Sequence, residues 1–230
     1  MTRTPPAGTG SAADDDPPSL ADADLLRTPP ATPRGVRTRA ALVAAARVVF
    51  ERAGYLDARL VDITAEARCS SGTFYTYFAS KEEIFAAVLE VSQDDMMHPG
   101  TEHVPDDGDP VAVIEASTRA YFEAYERNAK LMELLEQVAA IDIRFRRLRR
   151  NRADAFVRRN ARSIAGLQRR GLADSGVDPV VASLALSGMI SRLAFTHFVV
   201  EPSLGEPPTW SSDQLVHAAT RLWVNALRLD

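Results

Sequence analysis

Residues 69–85 read CSSGTFYTYFASKEEIF, with Phe74, Tyr75, Tyr77 and Phe78 set among serine, threonine, glycine and Lys81. A helix that only packed in a core would not need two tyrosines flanking a threonine. The hydroxyls of Ser71, Thr73, Tyr75 and Tyr77 can donate and accept hydrogen bonds, which suits base edges and phosphate oxygens. Phe74 and Phe78 lie four residues apart and make the buried face, with Ile63 opposite. Gly72 lets one backbone approach another. Lys81 stands at the start of the following helix, where free N–H groups and a cation together hold a phosphate. This is recognition chemistry for double-stranded DNA.

The flanking elements position that stretch. RGVRTRAALVAAARVVFERAGY carries Leu42, Ala46, Val49, Phe50 and Ala53 at helical spacing, with Gly54 as its stop. VDITAEA is a short helix, RCS a tight turn, and SGTFYTYF a second short helix capped by Ser70 or Ser71. In ASKEEIFAAVLEVSQ, Ser80 is the cap and Glu83 completes a capping box, with Ile84, Phe85 and Val88 facing inward. Two short helices joined by a tight turn behind a longer scaffold helix make a helix-turn-helix, whose second helix enters the major groove. Arg34, Arg37 and Arg39 open the scaffold helix, either as an arm to the neighbouring groove or as a solvated helix start.

DITAEARCSSGTFYTYFASKEEIF resembles the DNA-binding signature of the TetR family of bacterial transcriptional repressors, from about Arg37 to Leu89. The resemblance implies a homodimer reading a palindrome in successive major grooves, released when a small ligand changes the separation of the recognition helices. It places Thr73, Tyr75 and Tyr77 at base- and phosphate-contacting positions, Lys81 at the phosphate-contacting lysine and Gly72 at the recognition-helix glycine. Arg37, Arg39, Thr64 and Ser71 complete the candidate DNA-binding set. Tyr75 has a second reading, as a core residue with its hydroxyl at the surface. Two positions depart from the family pattern. Arg68 replaces the usual turn glycine, at a cost of roughly 1 kcal/mol if a left-handed conformation is required there. Cys69 replaces the usual valine.

The remainder of the chain is helical by pattern, with no strand alternation and no internal repeat. The expected fold is all-α: an N-terminal unit of three to four helices with the helix-turn-helix, then a C-terminal bundle for ligand binding and dimerisation. The expected organisation is a Pro/Asp-rich disordered tail over 1–33, a DNA-binding domain over 34–92, a linker over 93–110 and the second domain over 111–230.

A net charge of −4 over 230 residues argues against nucleic acid only until its distribution is read. Asp14, Asp15, Asp16, Asp22 and Asp24 sit in the tail, whereas arginines dominate from Arg34 to Lys81. A lone Cys69 excludes an internal disulfide framework and suits a reducing cytoplasm. It reads either as a small hydrophobe or as a redox sensor beside DNA. No signal peptide is recognised, and the apolar stretches near 177–189 and 193–200 read as too short and interrupted to span a membrane. His98 and His103 share an acidic loop, but their spacing fits no standard metal pattern, so no metal or other cofactor is expected. With no phosphate loop, nucleophile elbow, HExxH or nucleophile–base pair, the chain reads as not an enzyme.

Phe122, Tyr125, Met132, Phe156, Met189, Leu193, Phe195 and Phe198 are the candidates for an apolar effector pocket, and equally for simple core. The arginine run 144–170 reads as a solvated face, with Arg158, Arg159, Arg162, Arg169 and Arg170 opposite Phe156, Val157, Ile164 and Leu167. The sharper alternative is an anionic partner such as the phosphates of acyl-CoA. The expected effector is acyl-CoA, a fatty acid or another apolar compound. Residues 179–200 are apolar nearly all round and 211–229 carry a broad apolar stripe. One monomer could hardly bury both, so homodimerisation is expected there. Arg192, on the first of these segments, would need an ion pair if buried, or would anchor a ligand carboxylate. An architectural DNA-binding protein without an effector is the competing reading of the whole chain.

Overall fold

The helices begin where side-chain oxygens can take up orphan backbone N–H groups. In the computed structural model, which describes residues 28, 30–97, 109–200 and 210–229, Thr32 accepts from the Gly35 N–H at 3.1 Å and Pro33 occupies the first turn. This opens α1 (Pro33–Asp57). Gly54 breaks its helical geometry with φ 79° and ψ 165°, which fulfils the stop expected there. The helix-turn-helix is α2 (Leu60–Glu66) and α3 (Ser71–Tyr77), followed by α4 (Lys81–Met97).

Then come α5 (Pro110–Arg127), α6 (Ala129–Ile141), α7 (Ile143–Arg169), α8 (Pro179–Phe198) and α9 (Ser212–Leu227). Asp109, Asp142 and Asp178 cap α5, α7 and α8. Ser211 and Gln214 form a reciprocal capping box at α9. No strand occurs among the described residues, so the all-α expectation holds. At α4, Ser80 Oγ accepts from the Glu83 N–H at 3.2 Å, the cap expected there, and the Glu83 carboxylate also accepts from the Ala79 N–H.

One apolar cluster runs from α1 through α4 to α6 and α7. Leu42, Phe50, Ile63, Phe74, Phe85, Leu131 and Phe145 are each fully buried in it. Phe85 of α4 meets Phe145 of α7 at 5.3 Å between centroids, so the packing continues from the helix-turn-helix unit into the C-terminal helices. A second cluster forms around Ile164, Leu186, Trp223 and Leu227. The 20-residue α8 is long and apolar enough by length and composition to cross a membrane, contrary to the reading of its sequence as two short runs. Ala182, Ser183, Leu186 and Ala194 are buried on it, and Ser183 Oγ donates to the Val157 carbonyl of α7 at 2.8 Å. It packs along one face and leaves Val180, Val181 and Leu184 exposed. The tail, the linker centre, His98 and His103 lie outside the described residues.

Candidate nucleic-acid interface and effector cavity

The turn between α2 and α3 is tied by Arg68 N–H to the Ala65 carbonyl (3.1 Å) and Cys69 N–H to the Thr64 carbonyl (3.0 Å). Arg68 has φ 53°, so an exposed arginine holds the left-handed conformation usually given to glycine. Ser70 is the cap of α3, accepting from Thr73 N–H at 3.1 Å. Cys69 is half-buried against the core, and burial raises its thiol pKa. A thiol held protonated is a poor redox nucleophile, which favours the small-hydrophobe reading.

Phe74 anchors α3 with no exposed surface, and Phe78 closes its end. The opposite side presents Ser71, Gly72, Tyr75 and Thr76 to solvent, with Tyr75 54% exposed. Tyr75 is therefore a surface side chain and the core alternative for it fails. Thr73 and Tyr77 are half-buried, and Tyr77 leans on the core. Thr76 shares the exposed face, its hydroxyl donating to the Gly72 carbonyl at 3.0 Å. Thr76, the threonine between the two tyrosines, stood outside the candidate DNA-contact set, and the structure puts it on the exposed face.

Three candidates sit differently from expectation. Thr64 is buried, with its hydroxyl donating to the Val61 carbonyl within α2 at 3.0 Å, so little of it faces solvent. Arg39 folds back over the Phe78 ring at 5.3 Å and lies 3.7 Å from the Glu90 carboxylate, which ties it to α4 instead of leaving it an arm. The Lys81 ammonium donates to the carbonyls of Tyr55 (2.9 Å), Leu56 (3.2 Å) and Ala58 (3.2 Å). Its three N–H groups close the end of α1, so contact with a phosphate would require giving one up. Arg34, Arg37, Arg59 and Arg68 are exposed around the motif.

In the C-terminal helices a cavity of about 1200 Å³ opens between α5, α6, α7, α8 and α9. Of the pocket candidates, Tyr125, Met132, Phe156 and Phe195 line it. The other four do not. Phe122 is 1% exposed and packs edge-on against Phe198 at 6.0 Å, Leu193 and Phe198 lean on the main core, and Met189 belongs to the second cluster. Their apolar character served packing, which sequence pattern alone does not separate from ligand contact.

The cavity wall is more cationic than an apolar pocket. Arg149, Arg152, Arg159 and Arg192 line it, joined by Arg162, Arg169 and Arg170, whereas Glu136 is the single carboxylate among the described lining residues. The arginine run of α7 is therefore not simply a solvated face. Arg149 pairs with that Glu136. Arg159 lies over the Phe156 ring at 4.9 Å. Arg192 is exposed and lies over Phe195 at 5.7 Å, so the condition under which it would need an ion pair does not arise. Arg152 is the buried one, at 8% exposure. Burial lowers its pKa, partly offset by Tyr121 and Tyr125. Burial likewise raises the pKa of both phenols, so they remain protonated.

Val181 and Leu184 of α8 are each 62% exposed and Leu222 of α9 is 50% exposed; Leu184 also lines the cavity. No group of three or more histidine, cysteine or acidic side chains that could hold a metal ion occurs among the described residues.

Comparison with known proteins places this geometry. Residues 42–88 match the model of the family described as "Bacterial regulatory proteins, tetR family". The HTH-type transcriptional regulator EthR of Mycobacterium tuberculosis is 24% identical over 199 residues, covering 86% of this chain and 90% of EthR. Among solved structures, a transcriptional regulator from Rhodococcus sp. RHA1 superposes with a TM-score of 0.67 at 20% identity, covering 84% of this chain and 98% of that one. SmeT, the repressor of a Stenotrophomonas maltophilia multidrug efflux pump, superposes in its complex with triclosan with a TM-score of 0.65 at 21% identity, covering 83% and 91%. At those identities the solved structures speak for the fold.

Proposed function

We propose, from the premise that this chain belongs to the TetR family of DNA-binding transcriptional regulators, that it is a repressor. It binds a palindromic operator as a homodimer and is released when a small hydrophobic or amphipathic effector enters the cavity of the C-terminal helices. The observation that carries this reading is the two-sided α3. Phe74 fixes the helix to the core, and Ser71, Tyr75 and Thr76 stand outward at its surface. A helix so held offers hydroxyls to a groove in a fixed register. Tyr75, Ser71, Thr76 and the half-buried Thr73 are the base- and phosphate-contacting set in this reading, with Arg37, Arg59 and Arg68 on the backbone.

The exposed Val181, Leu184 and Leu222 support a second copy seated on α8 and α9, because monomers seldom leave such a face to water. The cavity supports an effector, and an architectural protein would have no use for one of about 1200 Å³. SmeT, similar in fold, holds triclosan. In this reading the protein acts on cytoplasmic DNA.

Selection of bound duplexes from a random pool, repeated with Tyr75→Ala, tests this reading. The expected result is a palindrome with half-sites about one helical turn apart, roughly 34 Å, with binding weakened in the variant. Uniform coating without an enriched site would overturn it.

A further inference from the structure

Arg152 lies within α7 and is the buried arginine of its basic run. It is 8% exposed, and no carboxylate among the described residues pairs with it. The one carboxylate that shares its cavity, Glu136, is engaged by Arg149. The groups against Arg152 offer it no negative charge: the Phe156 ring lies 6.0 Å from its guanidinium, Arg159 lies over the same ring at 4.9 Å, and the protonated phenols Tyr121 and Tyr125 share the cavity wall. A guanidinium cannot shed its proton at physiological pH, so burial without a counter-ion lowers stability unless a partner arrives. A second polar group on the same wall also has no protein partner. Trp223 is 7% exposed, and its indole N–H donates to nothing.

We propose that the cavity takes an organic anion: a molecule with one carboxylate, or comparable anionic group, on an apolar body, its charge received by Arg152. The inference rests on the cavity being the effector site and narrows the class of effector. The planar fork of Arg152 binds the anionic group through two parallel N–H donors. Tyr121 or Tyr125 adds an O–H donor, and the aromatic wall with Phe156 covers the apolar body. A neutral molecule of the same shape would leave the buried guanidinium unpaired and would lose the strongest interaction the cavity offers. Ligand charge thereby selects among amphipathic compounds, which a uniformly apolar cavity could not do.

The test uses two fluorescent probes with one aromatic body: anilinonaphthalene sulfonate, which is anionic, and phenylnaphthylamine, which is not. Each is titrated into the full chain and into Arg152→Met, Arg152→Lys and Arg147→Gln, the last an exposed α7 residue outside the cavity wall. Arg152→Met is expected to weaken the anionic dye by at least about tenfold and to leave the neutral dye within about twofold. Arg152→Lys is expected to fall between wild type and Arg152→Met, because it keeps the charge and loses the fork. Arg147→Gln leaves both dyes unchanged. The melting temperature of ligand-free Arg152→Met is expected to equal or exceed that of wild type, since a buried unpaired cation has become apolar.

Equal weakening of both dyes, no weakening of either, or failure of the anionic dye to bind wild type overturns the inference, as does a marked fall in melting temperature in both Arg152 variants. Operator retention is followed in the same samples. Discrimination by charge with the operator still held keeps the anion site and removes the effector reading. Release of operator by both dyes alike keeps an effector site and removes the preference for an anion.

Discussion

The Arg47 Nη2 of α1 donates to the Asn128 Oδ1 at the α5–α6 corner over 3.2 Å, a bond between residues 81 apart in sequence. The same guanidinium donates through Nε to Glu51 at 2.7 Å and through Nη1 to Ser92 of α4 at 3.1 Å. Asn128 is buried, and its side-chain amide donates to the Ala124 carbonyl at 2.9 Å. The scaffold helix of the DNA-binding unit is thus tied to the corner from which α6 departs along the cavity. A shift of α6 on ligand entry would be felt at α1 through this residue.

Arg47→Met is expected to destabilise the fold by about 1–2 kcal/mol, the loss of a charged hydrogen bond to Asn128. It should also reduce the drop in operator affinity caused by effector. Urea midpoints and operator affinity with and without ligand measure the two effects. Full ligand response in a destabilised protein would show that Arg47 only braces the junction.

Arg68→Gly removes the left-handed strain at φ 53°, and the folded state gains up to about 1 kcal/mol. The same change removes a cation beside the recognition helix. Operator affinity should fall, and the slope of log affinity against log salt should lose about one phosphate's worth. A rise in melting temperature without change in salt slope would assign Arg68 to the turn alone.

Tyr75→Ala and Phe74→Ala separate reading from folding within adjacent residues. The exposed Tyr75 should cost stability less than about 0.5 kcal/mol and weaken operator binding by about tenfold. Phe74, with no exposed surface, should cost about 3–5 kcal/mol and lose DNA through unfolding. Thermal melts beside operator titrations distinguish them.

Val181→Glu introduces a charge at an exposed position of α8 outside the cavity wall. On the proposed two-fold axis it would meet its own copy or an apolar partner. Sedimentation should then report a monomer, with operator affinity lost although the isolated subunit stays folded. An unchanged dimer would place the interface elsewhere.

Asp142 supplies a pH test. Its carboxylate, hydrogen-bonded first by the Arg144 guanidinium and then by the Arg144 N–H, has a pKa held below the usual carboxylate value. A depressed folded pKa means stability that is present above the unfolded value, about 3.9, and lost as pH falls through the folded one. Asp142→Asn, which keeps a weaker cap, should lower stability at neutral pH by roughly 0.5–1 kcal/mol. The difference from wild type should shrink below about pH 4. A pH-independent difference would argue against the charge.

Sequence determined the elements and the identity of the reading helix, because those depend on neighbours in the chain. Ser70 caps α3 and Gly54 stops α1 through contacts within four residues, and the four-residue spacing of Phe74 and Phe78 sets the buried face of α3 by helical period; that Tyr75 faces solvent was settled by the structure. At Arg68 the family resemblance raised a left-handed turn only as a condition, and the structure shows it, with φ 53°. Tertiary structure alone decided where long side chains end. Lys81 reaches carbonyls of α1 more than twenty residues earlier, and Arg39 reaches Glu90, partners that no local pattern reveals. The cavity was the least legible part. Tyr125 and Phe122 share one helix and similar chemistry, yet one lines the cavity and the other fills the core, because only the packing of α7 and α8 sets which face is left open. The same packing buried Arg152 among arginines that stayed near solvent, and burial, which sequence does not contain, turns one guanidinium of a basic run into a site.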